Sequence, residues 1–417
     1  MITLIKRFTC KNGVTIVTEE MSTVRSAAIG IWIATGSRDE SPALNGVSHF
    51  LEHMFFKGTD TLSAKEIAES FDSIGGQVNA FTSKEYTCYY AKVLDNHADH
   101  ALNVLADMFF HSKFDTDELE KERNVILEEI KMYEDAPDDI VHDLLSSAAY
   151  GNHPLGLPIL GTEKTLAGFT RDTLKEYMYN MYTPDRVVIS IAGNITEDIV
   201  KKAEALFGEY EGGKAPVMEP VSDFRYEKKS RSKETEQAHL CLGYEGISIG
   251  DKDIYNLIVM NNIIGGSMSS RLFQEVREER GLAYSVYSYH SSYKDTGLIT
   301  FYGGTGAEQL DELYATIIES IELVKKEGLT QKELHNSKEQ LKGSLMLSLE
   351  STNSRMSRNG KNELLLKRHR TLDEVVSLID GVTKERVDEL AVELFDKPFS
   401  ASLISPDGKW PQSAGLN

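Results

Sequence analysis

The sequence predicts an α+β fold built from two similar halves, each a mostly antiparallel sheet with helices packed on it. Three observations predict it. Strand patterns come in runs and helix patterns come in runs, without strict alternation, which indicates helices layered on antiparallel sheets. The order of elements in the first half recurs in the second. A chain of 417 residues also exceeds one ordinary hydrophobic core and suffices for two domains.

Taken in order, the opening MITLIKRFTCKNGVTIVTEEM alternates apolar and polar residues and breaks at Asn12-Gly13, a hairpin signature. AAIGIWIATGSRDE (27–40) reads as a strand running into a charged turn, and HFLEHMFF as a helix. Two hairpin-like strands follow in GQVNAFTSKEYTCYYAKV, then two long helices, the second containing ELEKERNVILEEIKMYED. TRDTLKEYMYNMYTPDRVVISIAGN is a helix entering a closing strand. Gly, Pro and charge dominate from about residue 209 to 237, where no apolar period persists.

The series then repeats. AHLCLGYEGISIGDKD matches the first strand, NLIVMNNIIGG the first helix, and LAYSVYSYHSSYKDTGLITFYGG the paired strands. GLTQKELHNSKEQLKGSL matches the tail of the long helix, and TKERVDELAVELFDKPFSASLISPD the closing unit. This divides the chain into a first domain over 1–212, a linker over 213–236 and a second domain over 237–417.

Composition narrows the function classes. A net charge of -20 would repel nucleic acid. No run of about twenty apolar residues exists to span a membrane. The N-terminal stretch has neither the apolar core of a signal peptide nor an Arg-rich, acid-poor character, so a cytoplasmic protein is expected. Cys10, Cys88 and Cys241 are odd in number and far apart, which argues against disulfides or a thiolate metal site.

The chemistry-bearing stretch is NGVSHFLEHMFFKGT (45–59). Val47, Phe50, Leu51, Met54 and Phe55 recur at helical spacing, so His49, Glu52 and His53 share one face. Two imidazoles one turn apart can both reach a metal at about 2.0–2.1 Å, and an adjacent carboxylate can take a proton from water. An exposed polar stripe on an amphipathic helix would give the same pattern.

A catalytic zinc needs a third protein ligand. The best supplier is the glutamate-rich helix, where Glu122 and Glu129 lie two turns apart on one face. Glu118 and Glu128 sit on other faces, and spacing within that helix does not choose among its glutamates. Aligning the two halves sets Glu122 and Glu129 opposite Ser337 and Ser344, and the second-half helix NLIVMNNIIGG has no histidine pair. Only the first half keeps metal-competent groups.

Three motifs in order, GVSHFLEHMFFKGT, GGQVNAFTSKEYTCYY and ERNVILEEI, resemble the signatures of the inverted-zincin peptidases. That family holds pitrilysin, insulin-degrading enzyme and the mitochondrial processing peptidase, and H-x-x-E-H is its pattern. The resemblance covers nearly the whole chain and is of the short two-domain bacterial type. The 75 residues separating His53 from Glu129 suit the processing-peptidase branch.

The resemblance implies one Zn2+ per chain on His49, His53 and Glu129, with Glu52 as general base and Glu122 orienting a ligand histidine. It implies that NAFTS is a strand to which an extended peptide adds, with Asn79 and Ala80 along the scissile region and Phe81 lining a side-chain pocket. In SSRLFQEVREERGLAYSVYS it assigns Arg277 and Tyr284 to the substrate backbone and oxyanion, with Arg271 and Arg280 as surface ion-pairing neighbours. It further implies peptide substrates, an enclosed chamber and a homodimer, in which Arg277 and Tyr284 act in cis or from the partner chain. The family also contains non-catalytic structural and partner subunits, the rival reading; these lack parts of the motif set. His153, in a Gly/Pro loop, reads as structural, and His97, His100 and His111 as solvated.

Overall fold

The computed structural model describes residues 5–216, 220–221 and 223–415. It is a mixed α+β structure with two sheets of matching topology. The first has the order β1 (Ile5–Thr9), β2 (Thr15–Glu20), β6 (Val187–Gly193), β3 (Ser26–Ile33), β5 (Thr87–Leu94) and β4 (Gln77–Thr82). The second has the order β7 (Lys228–Ser232), β11 (Phe399–Ser405), β8 (Gln237–Glu245), β10 (Gly297–Gly306) and β9 (Ser285–Ser292). β2–β6 and β7–β11 are the parallel pairs, and every other neighbour is antiparallel. The second sheet therefore repeats the first from β2 onward, as the recurring element order predicts, and β4 and β9 are equivalent edges.

Alternation along each strand feeds two layers. In β3, Ala27, Ile29, Ile31 and Ile33 enter the main helical core, while Ala28 and Trp32 face the other side. The main core holds Phe50, Leu51, Met54 and Phe55 of helix Val47–Phe55, so the histidine helix is seated by its apolar face. On the opposite face lies helix Thr352–Leu366, whose Met356 Sδ accepts from Trp32 Nε1 at 3.3 Å. Gly360 is packed so closely on the Trp32 ring that a Cβ would fall 2.4 Å from Nε1. The second sheet is covered on its corresponding face by helix Pro137–Tyr150, where Ser402 Oγ donates to the Val141 carbonyl at 2.7 Å.

Each of those two helices comes from the other half of the sequence than most of the sheet it covers. One compact unit takes in the chain up to Ile130, the stretch from Leu157 to just before Pro220, and Met346–His369; the other takes in the remainder. Periodicity identifies an amphipathic helix but not which sheet it covers, so the exchange is invisible in sequence. β7 likewise lies inside the stretch 213–236 read as a linker. Its sequence KKSRS has no apolar alternation, and its extended form comes from pairing with β11. Among the described residues no helix is long and apolar enough to cross a membrane.

Candidate metal centre

Helix Val47–Phe55 begins on an unusual cap. Glu40, in the turn after β3, is fully buried and accepts from the backbone N–H of Gly46 (2.7 Å) and Ser48 (2.8 Å) and from Asn45 Nδ2 (3.2 Å). These satisfy amides that a helix start leaves unpaired. Burial pushes the Glu40 carboxyl up to about 7, against the pull of those donors. Gly46 has φ +95°, and a Cβ there would lie 2.7 Å from the Gly161 Cα, so only glycine fits. The charged turn GSRDE is thus buried: Arg38 pairs with Glu85 at 2.6 Å and Asp39 with Arg186 at 2.8 Å.

From this anchored start, His49 and His53 stack edge to face with ring centroids 4.7 Å apart. The Glu129 Oε2 atom lies 3.7 Å from His49 Nε2 and 3.6 Å from His53 Nε2. One ligand atom from each residue lies within 4.8 Å of the others, the one such His/Cys/Asp/Glu group among the described residues. Ligands held tetrahedrally about 2.0–2.1 Å from zinc stand roughly 3.3–3.4 Å apart, so the Glu129 distances match to a few tenths of an ångström. Two imidazoles and a carboxylate are also a donor set that zinc accepts. The residues fit the ion.

The surroundings tune these groups in opposite directions. Burial, helped by His53, pushes His49 down to about 4 against Glu129, which leaves a neutral ring with a lone pair to offer. Burial would lower His53 too, but Glu122 and Glu129 outweigh it and raise the ring to about 9. Glu122, from the long helix Thr116–Glu134, sets its Oε2 3.0 Å from His53 Nδ1. Burial alone would raise its carboxyl; His53 and Lys57 reverse this and hold it low. Hydrogen bonding to His53 lowers Glu129 as well. His49 Nδ1 is buried and bonds no other described atom.

Glu52 points to the edge strand. The Thr82 hydroxyl on β4 donates to Glu52 Oε2 at 2.5 Å. Burial raises the Glu52 carboxyl, with Thr82 and His53 opposing. A carboxylate lifted above its usual range is better matched to accepting a proton near neutral pH. On β4, Ala80 N–H donates to the Asn79 side-chain oxygen at 2.8 Å. Phe81 is half-buried on the other face of the strand, edge-on to Trp32 at 5.6 Å.

Within the second unit, Arg277 and Tyr284 come together. The guanidinium stacks over the Tyr284 ring at 4.3 Å and the Phe273 ring at 4.8 Å, and Nη1 donates to the Tyr284 carbonyl at 3.0 Å. Arg277 sits in a π-helical stretch, Phe273–Glu279, and Tyr284 is 76% exposed. Its neighbours are committed to carboxylates, Arg271 to Glu333 at 2.6 Å and Arg280 to Glu275 at 2.8 Å. For Arg277 the nearest carboxylate is Glu278 at 3.9 Å.

The other histidines lie elsewhere. His153 Nδ1 accepts from Leu155 N–H at 3.1 Å in a tight turn, His111 pairs with Asp107 at 3.0 Å, and His100 meets the Ser70 carbonyl at 3.0 Å. Glu118 is tied to Lys121 at 2.6 Å. Sequence reasoning missed three contributors: Glu40 as the cap, Thr82 on Glu52 and Lys57 on Glu122. Alternation in NAFTS sets residues 80 and 82 on one face of the strand, a signal that could have found Thr82.

Comparison with known proteins identifies the family. Residues 15–163 match the insulinase description of peptidase family M16, and residues 168–341 match the description of the M16 inactive domain. The chain is 67% identical to an uncharacterized zinc protease, YmxG, of Bacillus subtilis, over 98% of this chain and 100% of that one. It is 41% identical to an uncharacterized zinc protease of Streptomyces coelicolor, over 96% of this chain and 90% of that one. The crystal structure of a protease from Helicobacter pylori shares the fold at a TM-score of 0.90 and 22% identity, covering 97% of this chain and 100% of that one. Two M16 descriptions that together match most of its length, and 67% identity to a relative matched from end to end, make this chain a member of peptidase family M16.

Proposed function

We propose that the chain is a zinc-dependent endopeptidase that cleaves short or unfolded peptides. The observation that carries this reading is the convergence of His49 and His53 Nε2 on Glu129 Oε2, with Glu52 on the same helix face. Zinc held by His49, His53 and Glu129 would act as a Lewis acid on a scissile carbonyl and make water acidic enough to react near neutral pH. Glu52 accepts the proton of the attacking water and delivers it to the leaving amine. Thr82 fixes Glu52 Oε2, which leaves Oε1 to exchange that proton. Glu122 holds the His53 ring through Nδ1.

An edge strand has a row of backbone groups free for another chain, and β4 is such an edge. In this reading an extended peptide pairs along Asn79 and Ala80, displacing the Asn79 side chain from Ala80 N–H, and Phe81 borders a substrate side chain. Arg277 and Tyr284 donate hydrogen bonds to the substrate backbone and to the developing oxyanion. Two chains form a closed chamber, with Arg277 and Tyr284 acting in cis or from the partner chain. Mixing inactive Glu52→Gln chains with inactive Arg277→Ala/Tyr284→Ala chains restores activity only in the second case.

A non-catalytic subunit is the competing reading, and it predicts a broken constellation; here all four first-half groups are present. The deciding experiment is a digest of a mixed peptide library read by mass spectrometry. Cleavage that stops with chelator, returns with zinc and is absent in Glu52→Gln supports the peptidase. No cleavage, or equal cleavage by Glu52→Gln, removes it.

A further inference from the structure

Lys57 follows the histidine helix by two residues. Its backbone N–H bonds the Met54 carbonyl at 3.1 Å, and Gly58 at φ +107° turns the chain away. This sends the Lys57 side chain back to the long helix, where Nζ stands 2.6 Å from Glu122 Oε1. The other oxygen of that carboxylate, Oε2, is the one at His53 Nδ1. The Glu122 side chain is 5% exposed, so water has little access to either oxygen.

We propose that Lys57 is a positioning residue for the metal. By holding Glu122 Oε1 it fixes Oε2 under His53 Nδ1, which keeps His53 Nε2 turned toward Glu129. The inference rests on the metal-centre reading above and extends it to a residue outside the ligand set.

Three arguments carry it. A carboxylate bonded through one oxygen only can rotate, whereas one bonded through both presents a fixed acceptor to the imidazole, and partners of this kind orient ligands and raise their affinity. The second argument is charge. Glu52, Glu122 and Glu129 gather three carboxylates around two imidazoles. A dication together with the Lys57 ammonium balances all three, whereas without Lys57 the half-buried centre keeps an uncompensated negative charge beside the buried Glu122, which is costly.

The third argument comes from the second half. In the second half Asn262 stands where His53 does, its Nδ2 donating at 2.8 Å to Ser337, the aligned partner of Glu122; Lys57 lies four residues past His53, and four past Asn262 lies Gly266. Where the carboxylate is absent, the ammonium is absent too.

The test compares zinc affinity and folding in the full chain. Metal-stripped proteins are titrated with zinc against a fluorescent chelator: the unsubstituted chain, Lys57→Met, the milder Lys57→Gln, Lys57→Arg, Glu122→Gln and Lys57→Met/Glu122→Gln. Thermal unfolding of each is followed without metal. Lys57→Met and Lys57→Gln are expected to bind zinc about 10- to 100-fold more weakly. Lys57→Arg recovers most of the loss, and the double variant binds no more weakly than Glu122→Gln alone. Affinities within twofold of the unsubstituted chain overturn the proposal, as do losses that multiply in the double variant. So does a loss of affinity that only tracks the loss of metal-free stability across the set. Absence of zinc binding in the unsubstituted chain is a separate result, which removes the metal-centre reading itself.

Discussion

The two halves build the same polar joint with different atoms. In the first, neighbouring residues of helix Val47–Phe55 reach two elements: Glu52 meets Thr82 on the edge strand, and His53 meets Glu122 on the long helix. In the second, neighbouring residues of helix Ile254–Ile264 do likewise. Asn261 Oδ1 accepts from Ser288 Oγ on β9 at 2.9 Å, and Asn262 Nδ2 donates to Ser337 Oγ at 2.8 Å on helix Gln331–Ser348. Four residues earlier stands His49 in one half and Ile258, packed against the core, in the other. The difference teaches which polar groups belong to the scaffold. The positions of Glu52 and His53 are polar in both halves because the fold ties its helix to a strand and a second helix there. His49 and Glu129, facing Ile258 and Ser344 in the alignment, have no such structural duty, and in the proposed reading they convert the joint into a metal site.

The largest expected contrast is at the proton-transfer position. Glu52→Gln should lower peptide hydrolysis by about 10²- to 10⁴-fold while leaving zinc affinity intact, since loss of a general base has that magnitude. Asn261→Ala, its second-half counterpart, should leave kcat unchanged. Steady-state kinetics beside zinc titration separates the two, and equal losses would break the comparison.

The hydroxyls on the edge strands come next. Thr82→Val removes a hydrogen bond to a carboxylate and should lower kcat about tenfold or more, from about 1.5–3 kcal/mol for such a bond. KM should hardly move, Thr82→Ser should restore the rate, and Ser288→Ala should leave it alone. A Thr82→Val loss confined to KM would assign the hydroxyl to substrate binding instead.

Smaller effects concern stability alone. A double-mutant cycle on Asn262→Ala and Ser337→Ala should give a coupling of about 0.5–1.5 kcal/mol in chemical denaturation, with zinc affinity unchanged. Coupling near zero would show that the second joint is not holding its helix.

The smallest contrast is in acid. Burial would raise Glu333, but Arg271 and the Thr330 amide and hydroxyl reverse it and hold it at about 2, below the 4.5 of a free glutamate. A depressed folded value means its stabilisation is complete above about 4.5 and is lost as pH falls toward 2. The Glu333→Gln penalty in Tm should therefore shrink from pH 6 to pH 3. Glu118, at the matching place in the first half, bonds exposed Lys121, and Glu118→Gln should show little penalty at either pH.

Much of this was legible in the sequence because it depends on periodicity. The Asn12-Gly13 hairpin, the paired strands before each set of long helices and the shared face of His49, Glu52 and His53 all follow from spacing, and the structure has them. What spacing could not do was choose Glu129 over its neighbours; the family resemblance supplied that choice, and in the structure Glu129 Oε2 lies 3.7 and 3.6 Å from His49 and His53 Nε2. Contacts between distant segments left no local trace. Arg38, Asp39 and Glu40 read as a charged turn because nothing nearby shows that Glu85, Arg186 and a helix start await them. The strand β7 and the two exchanged helices went unread for the same reason: their conformation or placement is decided by a partner far along the chain.

The account turns on one ion per chain, gripped in the first half only. Calorimetric titration of the metal-stripped chain with zinc measures this directly. One tight site per chain is predicted, abolished in Glu129→Ala and His49→Ala and preserved in Glu52→Gln and Asn262→Ala. Two equivalent sites per chain, or undiminished binding by Glu129→Ala, would contradict it.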